Sequence, residues 1–166
     1  EEVAKIQAEE IKKYPKTITS MLIRANQEID VPPYEDLEEI DRKQKQYEYF
    51  RAHYFDQFDL NDPRAMRSGV IQQKIDFYLQ KLTYQVPDSQ IVAMDYLLSK
   101  MDKNPEALQY YLVHFLNESA RSKRMGMDAA YVHLVDQYYA KGLATWMEKE
   151  QLDKLRKIGE NGKVNM

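Results

Sequence analysis

The sequence predicts an all-helical protein, an irregular array of about seven or eight antiparallel-packed helices with helix-turn-helix units in its C-terminal half. Apolar residues recur three and four positions apart along nearly the whole chain, the spacing of one helix face. Capping and breaking residues punctuate these stripes at intervals suited to short helices. Only 5 Gly occur in 166 residues, too few for the tight turns of a many-stranded sheet, and no segment alternates apolar and polar residues between turn signals.

The first helix covers Glu2 to Lys13 and stops at Tyr14-Pro15, because the residue before Pro is disfavoured in the helical region. Ile18, Met21, Leu22, Ala25 and Ile29 form a second stripe, closed by Val31-Pro32-Pro33. A longer, polar helix runs from Asp36 to about Phe55, with Leu37, Ile40, Tyr47, Tyr54 and Phe58 on its apolar side. At Asn61-Asp62-Pro63, Asp62 is a candidate cap and Pro63 a candidate first helical residue. Ser68 is placed to cap a helix carrying Ile71, Ile75, Tyr78 and Leu82, which ends before Pro87. Asp88 or Ser89 begins the next, with Ile91, Met94, Leu98 and Met101 facing inward. Asn104-Pro105 opens the most apolar helix, marked by Leu108, Tyr111, Leu112, Phe115 and Leu116. Gly126 is placed to end it, and Asp128 to cap a helix bearing Tyr131, Leu134, Val135 and Tyr138, which Gly142 terminates. Thr145 and Glu148 form a capping box ahead of Leu152, Leu155 and Ile158. The first two helices form a hairpin or a hinge, and residues 159–166 read as a linker.

A chain of this length removes roughly 70% of its unfolded surface from water, enough for a core without staples. Apolar residues make up 43% and charged residues 31%, a globular composition. The net charge is -3 with both signs interspersed, which argues against nucleic acid as a partner. The one basic cluster, Arg121, Lys123 and Arg124, falls where a helix ends and cations complement exposed carbonyls. No apolar run approaches a membrane span, so no membrane insertion is expected. Cys is absent, which removes disulfides, Cys-ligated metal and thiol catalysis from these residues without identifying a compartment.

Candidate chemistry is sparse. His53, His114 and His133 lack the helical spacing of a metal pair, and each reads as a half-buried His held by a hydrogen bond. Asp128 and His133 invite comparison with a hydrolase, yet no nucleophile on a sharp turn and no oxyanion-hole sequence accompanies them. There is no Gly-rich phosphate loop. The residues therefore predict no catalytic group, cofactor or metal. The aromatic run Tyr47, Tyr49, Phe50, Tyr54, Phe55 and Phe58 is denser than one helix face needs. Core packing explains it, with a partner-facing surface as the alternative. Of Tyr110-Tyr111 and Tyr138-Tyr139, one ring of each pair faces inward and one outward.

Three segments carry a family resemblance: His53-Tyr54-Phe55-Asp56-Gln57-Phe58-Asp59-Leu60-Asn61-Asp62-Pro63-Arg64, then Gln73 to Leu82, then Met125-Gly126-Met127-Asp128-Ala129-Ala130-Tyr131-Val132-His133-Leu134. From about Pro32 to Ile158 the chain resembles domain-of-unknown-function family 5106, most specifically in its Met-Gly-Met-Asp segment, which implies that residues 32–158 are the helical domain, 1–31 an N-terminal helical connector and 159–166 a linker toward a C-terminal domain. Relatives tend to carry Thr-Pro where this chain has Ser68-Gly69, which implies a looser helical start here. The resemblance implies a non-catalytic accessory domain in an exported, often lipid-anchored protein of the bacterial envelope, located in the periplasm or outer envelope. It commonly precedes a thioredoxin-like domain of the peroxiredoxin or thiol-disulfide reductase type, which becomes the expected partner within the same polypeptide. That domain would supply the redox chemistry, and this one would position it or recruit its substrate. Both ends then read as excision points, and Glu1, not being Met, agrees. The alternative is a helical scaffold for an envelope protein or peptide, unrelated to redox chemistry. Interaction candidates are Tyr49, Tyr54, Phe58, Met125, Gly126, Asp128, Tyr131, His133 and Tyr139.

Overall fold

In the computed structural model, which describes residues 2–57, 59–64, 66, 68–139, 141, 142, 150, 153–155 and 157, the chain is all-helical, as its apolar spacing predicts. The described residues include seven α-helices and one π-helical turn, and no strand. Residues 1–78 and 79–166 form two compact units, divided inside the fourth helix.

In the first unit, α1 (Glu2–Lys13) and α2 (Ile18–Ala25) pack against each other. Glu2 in the first turn and Lys12 and Lys13 in the last complement the helix dipole of α1. Thr17 caps α2 by accepting from the Ser20 amide at 3.2 Å. The Ser20 hydroxyl is fully buried and donates to the Tyr14 carbonyl at 2.7 Å, tying the end of one helix to the start of the other. The second stripe stops being helical four residues before Ile29. Asn26 turns its own amide onto the Leu22 carbonyl at 2.9 Å and ends α2 there.

Helix α3 (Glu39–Ala52) is shorter at both ends than the span from Asp36 to Phe55. It starts after a turn set by Tyr34, whose φ of 49° is unusual for a residue with a side chain. Past Ala52 the chain folds into turns, so Tyr54 and Phe55 enter the core from a turn rather than from a helix face. Asp62 does not cap an α-helix. Its carboxylate accepts from the Arg64 amide at 3.0 Å and grips the Arg64 guanidinium, a local turn that leaves the next α-helix to begin at Gly69. Ser68 does not cap that helix by its side chain either: its buried hydroxyl has no hydrogen-bond partner, and the Ile71 amide bonds its carbonyl instead. Helix α4 (Gly69–Lys81) buries Ile71, Ile75 and Tyr78, the stripe its spacing predicts.

In the second unit, α5 (Pro87–Ser99) takes Pro87 as its first helical residue, one position before the expected start, because a Pro there has no amide left to satisfy. Gln90 is buried beneath this start and donates to the carbonyls of Leu79 and Tyr84. Asn104 caps α6 (Pro105–Arg121) by accepting from Ala107, and α6 buries Tyr111, Leu112, Phe115 and Leu116 as predicted. Helix α7 (Met127–Leu134) packs against both α5 and α6. Leu97, Leu112, Ala130 and Leu134 are the fully enclosed centre of this unit.

Gly126 does not terminate α6, which ends five residues earlier at Arg121, where Ser122 turns extended and accepts from the Arg124 amide. Gly126 instead precedes α7 in a left-handed conformation, φ 80°. A Cβ there would also lie 2.9 Å from the Pro87 ring, so space and backbone both demand glycine. Asp128 accordingly makes no cap. It is exposed in the first turn of α7, where a carboxylate complements the helix dipole. Beyond α7 the chain winds into a π-helical turn, Val135–Tyr139, and Gly142, at φ 73°, donates to the Tyr139 carbonyl. Phe58, Thr145, Glu148, Leu152 and Ile158 lie outside the described residues; Leu155 is helical.

Gly126→Ala should lower stability by about 2–4 kcal/mol, from left-handed strain added to overpacking against Pro87. Asn104→Ala should lose only ~1 kcal/mol, the worth of one cap. Urea unfolding of both variants beside the parent chain measures the contrast, and equal losses would contradict the close contact at Gly126.

Candidate functional site

One polar cluster of the second unit joins separate elements through a single carboxylate with two donors. Asp95 sits in α5 beside the buried Met94, with Leu97 and Leu98 packed one turn on. Its Oδ2 lies 2.8 Å from His133 Nε2, and its Oδ1 accepts the Tyr138 hydroxyl at 2.9 Å. His133 comes from the end of α7 and Tyr138 from the π turn, so Asp95 ties both to α5. The cluster is half-buried, with the Asp95 side chain 39% exposed. Burial first, then the hydrogen bond to Asp95 and its charge, push the Tyr138 phenol well above its ordinary 10.0. Tyr138 therefore stays a neutral donor over the physiological range and is no base.

Next to it, Tyr139 is enclosed at 1% exposure, and its hydroxyl has no hydrogen-bond partner. Burial, with the nearby Tyr131 phenol, pushes it up to about 12. Helical spacing assigns Tyr138 to the inward side of this pair and makes Tyr139 the interaction candidate. The structure reverses them, because the π turn inserts one residue and moves the core position from 138 to 139. In the other pair Tyr111 is buried and Tyr110 exposed.

Two loops of the second unit meet near the start of α5. The Arg124 guanidinium donates to the Gln85 side chain, and Gly126 abuts Pro87. Around these contacts three large apolar side chains stand in solvent: Tyr84, Val86 and Met125, the last 96% exposed. Arg121 and Lys123 belong to the same stretch as Met125, and both are exposed.

In the first unit the aromatic run is a packed nest. Tyr54 and Phe55 are buried and meet edge to face at 5.0 Å, Phe55 meets Tyr78 at 5.1 Å, and Phe77 stacks on Tyr54. Lys74 lies over the Tyr54 ring at 5.0 Å, and burial lowers its pKa. Tyr49 lies against His53 in a tilted ring contact, and His53 Nδ1 is 2.6 Å from Asp56. Core packing thus accounts for Tyr54, as it does for Tyr131, while Tyr49, Met125, Asp128 and His133 keep access to solvent.

The structure brings His133 to Asp95 and not to Asp128. Asp95 carries no motif, and its partners lie 38 and 43 residues away, so no local pattern marks it. Among the described residues no three His, Asp or Glu side chains converge as metal ligands, and no helix is long and apolar enough to cross a membrane.

A protein-family model described as "Domain of unknown function (DUF5106)" matches residues 4–166, a wider span than the segments from Pro32 to Ile158. Neither a curated protein nor a solved structure matches the chain.

Phenols raised in the folded state make stability fully present below their unfolded pKa and progressively lost as pH rises through the folded one. For Tyr139 that window runs from 10.0 to about 12. Urea midpoints should therefore hold up to about pH 10 and fall above it. In a tyrosinate absorbance titration, Tyr139→Phe should remove one late-ionising phenol. Loss of an early-ionising one would contradict the burial of Tyr139.

Proposed function

The chain belongs to the DUF5106 family, and on that premise we propose that it is a non-catalytic helical domain that docks a partner through the loops around Gly126. The observation that carries this reading is the exposure of Tyr84, Val86 and Met125 on two loops fixed to each other by Arg124–Gln85 and Gly126–Pro87. Large apolar groups carried on braced loops gain burial on binding without the loops themselves having to be ordered, the signature of a contact surface. The partner we propose is a thioredoxin-like domain of the same polypeptide in the bacterial envelope. With no Cys in 166 residues, thiol-disulfide exchange would be performed by that domain and its own Cys pair. This domain would orient it or bring substrate to it.

In a polypeptide carrying both domains, removing residues 32–158 should change the disulfide-reductase rate or the range of protein substrates. Unchanged rates and range would count against the reading. Met125→Asp and Tyr84→Ala change exposed side chains, so each should leave stability within about 0.5 kcal/mol. Titration calorimetry of the isolated thioredoxin-like domain onto the helical one should show affinity falling by roughly tenfold or more in both. Undiminished affinity would remove these loops from the interface.

A further inference from the structure

We propose that Met125 is an oxidation-sensitive anchor: a peroxide converts its thioether to the sulfoxide, and the docked partner is released. The inference rests on the docking reading given above and adds its regulation. Gly126, at φ 80° and ψ 0°, has the dihedrals of the third residue of a type II turn, and the Arg124 carbonyl closes that turn by accepting from the Met127 amide at 3.3 Å. Met125 is the corner of the turn. Its neighbours are fixed: Arg124 bonds Gln85 and the Ser122 hydroxyl, Gly126 abuts Pro87, and Met127 enters the core at 5% exposure. Between them the Met125 side chain is held out in solvent, 96% exposed.

Exposure separates this thioether from the others. Met21, Met94, Met101 and Met127 are buried, and Met66 is half-buried. Among the described methionines, an oxidant arriving from solvent therefore meets Met125 first, since susceptibility follows access to the sulfur. Of the three apolar groups on the docking loops it is also the one a peroxide attacks, because the Tyr84 phenol and the Val86 alkyl group carry no comparably nucleophilic lone pair. The step needs only the oxidant. A sulfur lone pair attacks one oxygen of hydrogen peroxide, the S–O bond forms as the O–O bond breaks, and the other oxygen leaves as water. Sulfur loses two electrons and the peroxide gains them. The product keeps the length of the side chain but replaces its apolar end with a hydrogen-bond acceptor, which is unfavourable to bury against apolar surface. Docking in turn covers the sulfur and slows its oxidation.

Two measurements test this. In the first, the chain is treated with hydrogen peroxide and each methionine is followed by peptide fragmentation. Met125 should convert roughly tenfold or more faster than Met94 and Met101. Equal rates overturn the site and leave the docking reading standing. In the second, titration calorimetry of the thioredoxin-like domain onto the helical one is run before and after that treatment, the peroxide being removed first, in the parent chain and in Met125→Leu, which has no sulfur at this position. Affinity should fall roughly tenfold in the oxidised parent. In Met125→Leu, whatever its starting affinity, treatment should change nothing. Undiminished affinity in the oxidised parent, or an equal fall in both chains, overturns the proposal while docking stands. Absence of binding by the untreated parent overturns docking and this inference together.

Discussion

The second unit depends on how closely the chain at Gly126 approaches Pro87. A helix start without a side chain lies against the ring that opens another, and this contact sets where α7 enters the groove between α5 and α6. Everything downstream inherits that placement. Ala130 and Leu134 reach the centre with no exposed surface, and His133 faces Asp95 on α5. The other end of α7 is pinned by that same carboxylate. Between the two fixed points the chain has one residue more than an α-helix needs, and the surplus is taken up as a π turn.

Much of the architecture is legible from sequence because its signals are local. Asn104-Pro105 opens α6, and Tyr14-Pro15 closes α1, since capping and proline geometry act within a few residues. The stripes of α4 and α6 are correct for the same reason. What sequence reading misses is set by contacts far along the chain or by competition between two local options. Asn26 and Asp62 each take a local hydrogen bond over continuing or starting a helix. Gly126 has the composition of a helix stop but serves a close approach to Pro87, 39 residues earlier, which spacing does not record. Tyr138 and Tyr139 exchange places because periodicity assumes 3.6 residues per turn throughout. Asp95, the centre of the candidate site, has nothing in its neighbourhood to single it out.

The same contrast separates the two units in chemical character. In the first, aromatic rings fill a turn-built nest, and its ion pairs Lys43–Glu39 and Lys45–Glu48 are exposed and contribute little. In the second, Asp95 joins α5 to α7 and to the π turn, and the large apolar groups around Gly126 sit on braced loops. Both units also leave apolar groups in water on their helices, Ile6 and Ile40 in the first and Val92 and Val113 in the second.

The Asp95 hub also has a place in time. Its two bonds close chain segments of 38 and 43 residues, whereas each helix needs only neighbours. Isolated helical turns form on the order of a microsecond, and long closures wait until the intervening elements have docked. Closing those bonds therefore follows the winding of the helices themselves, and the hub belongs to the docking of α7 and the π turn onto α5.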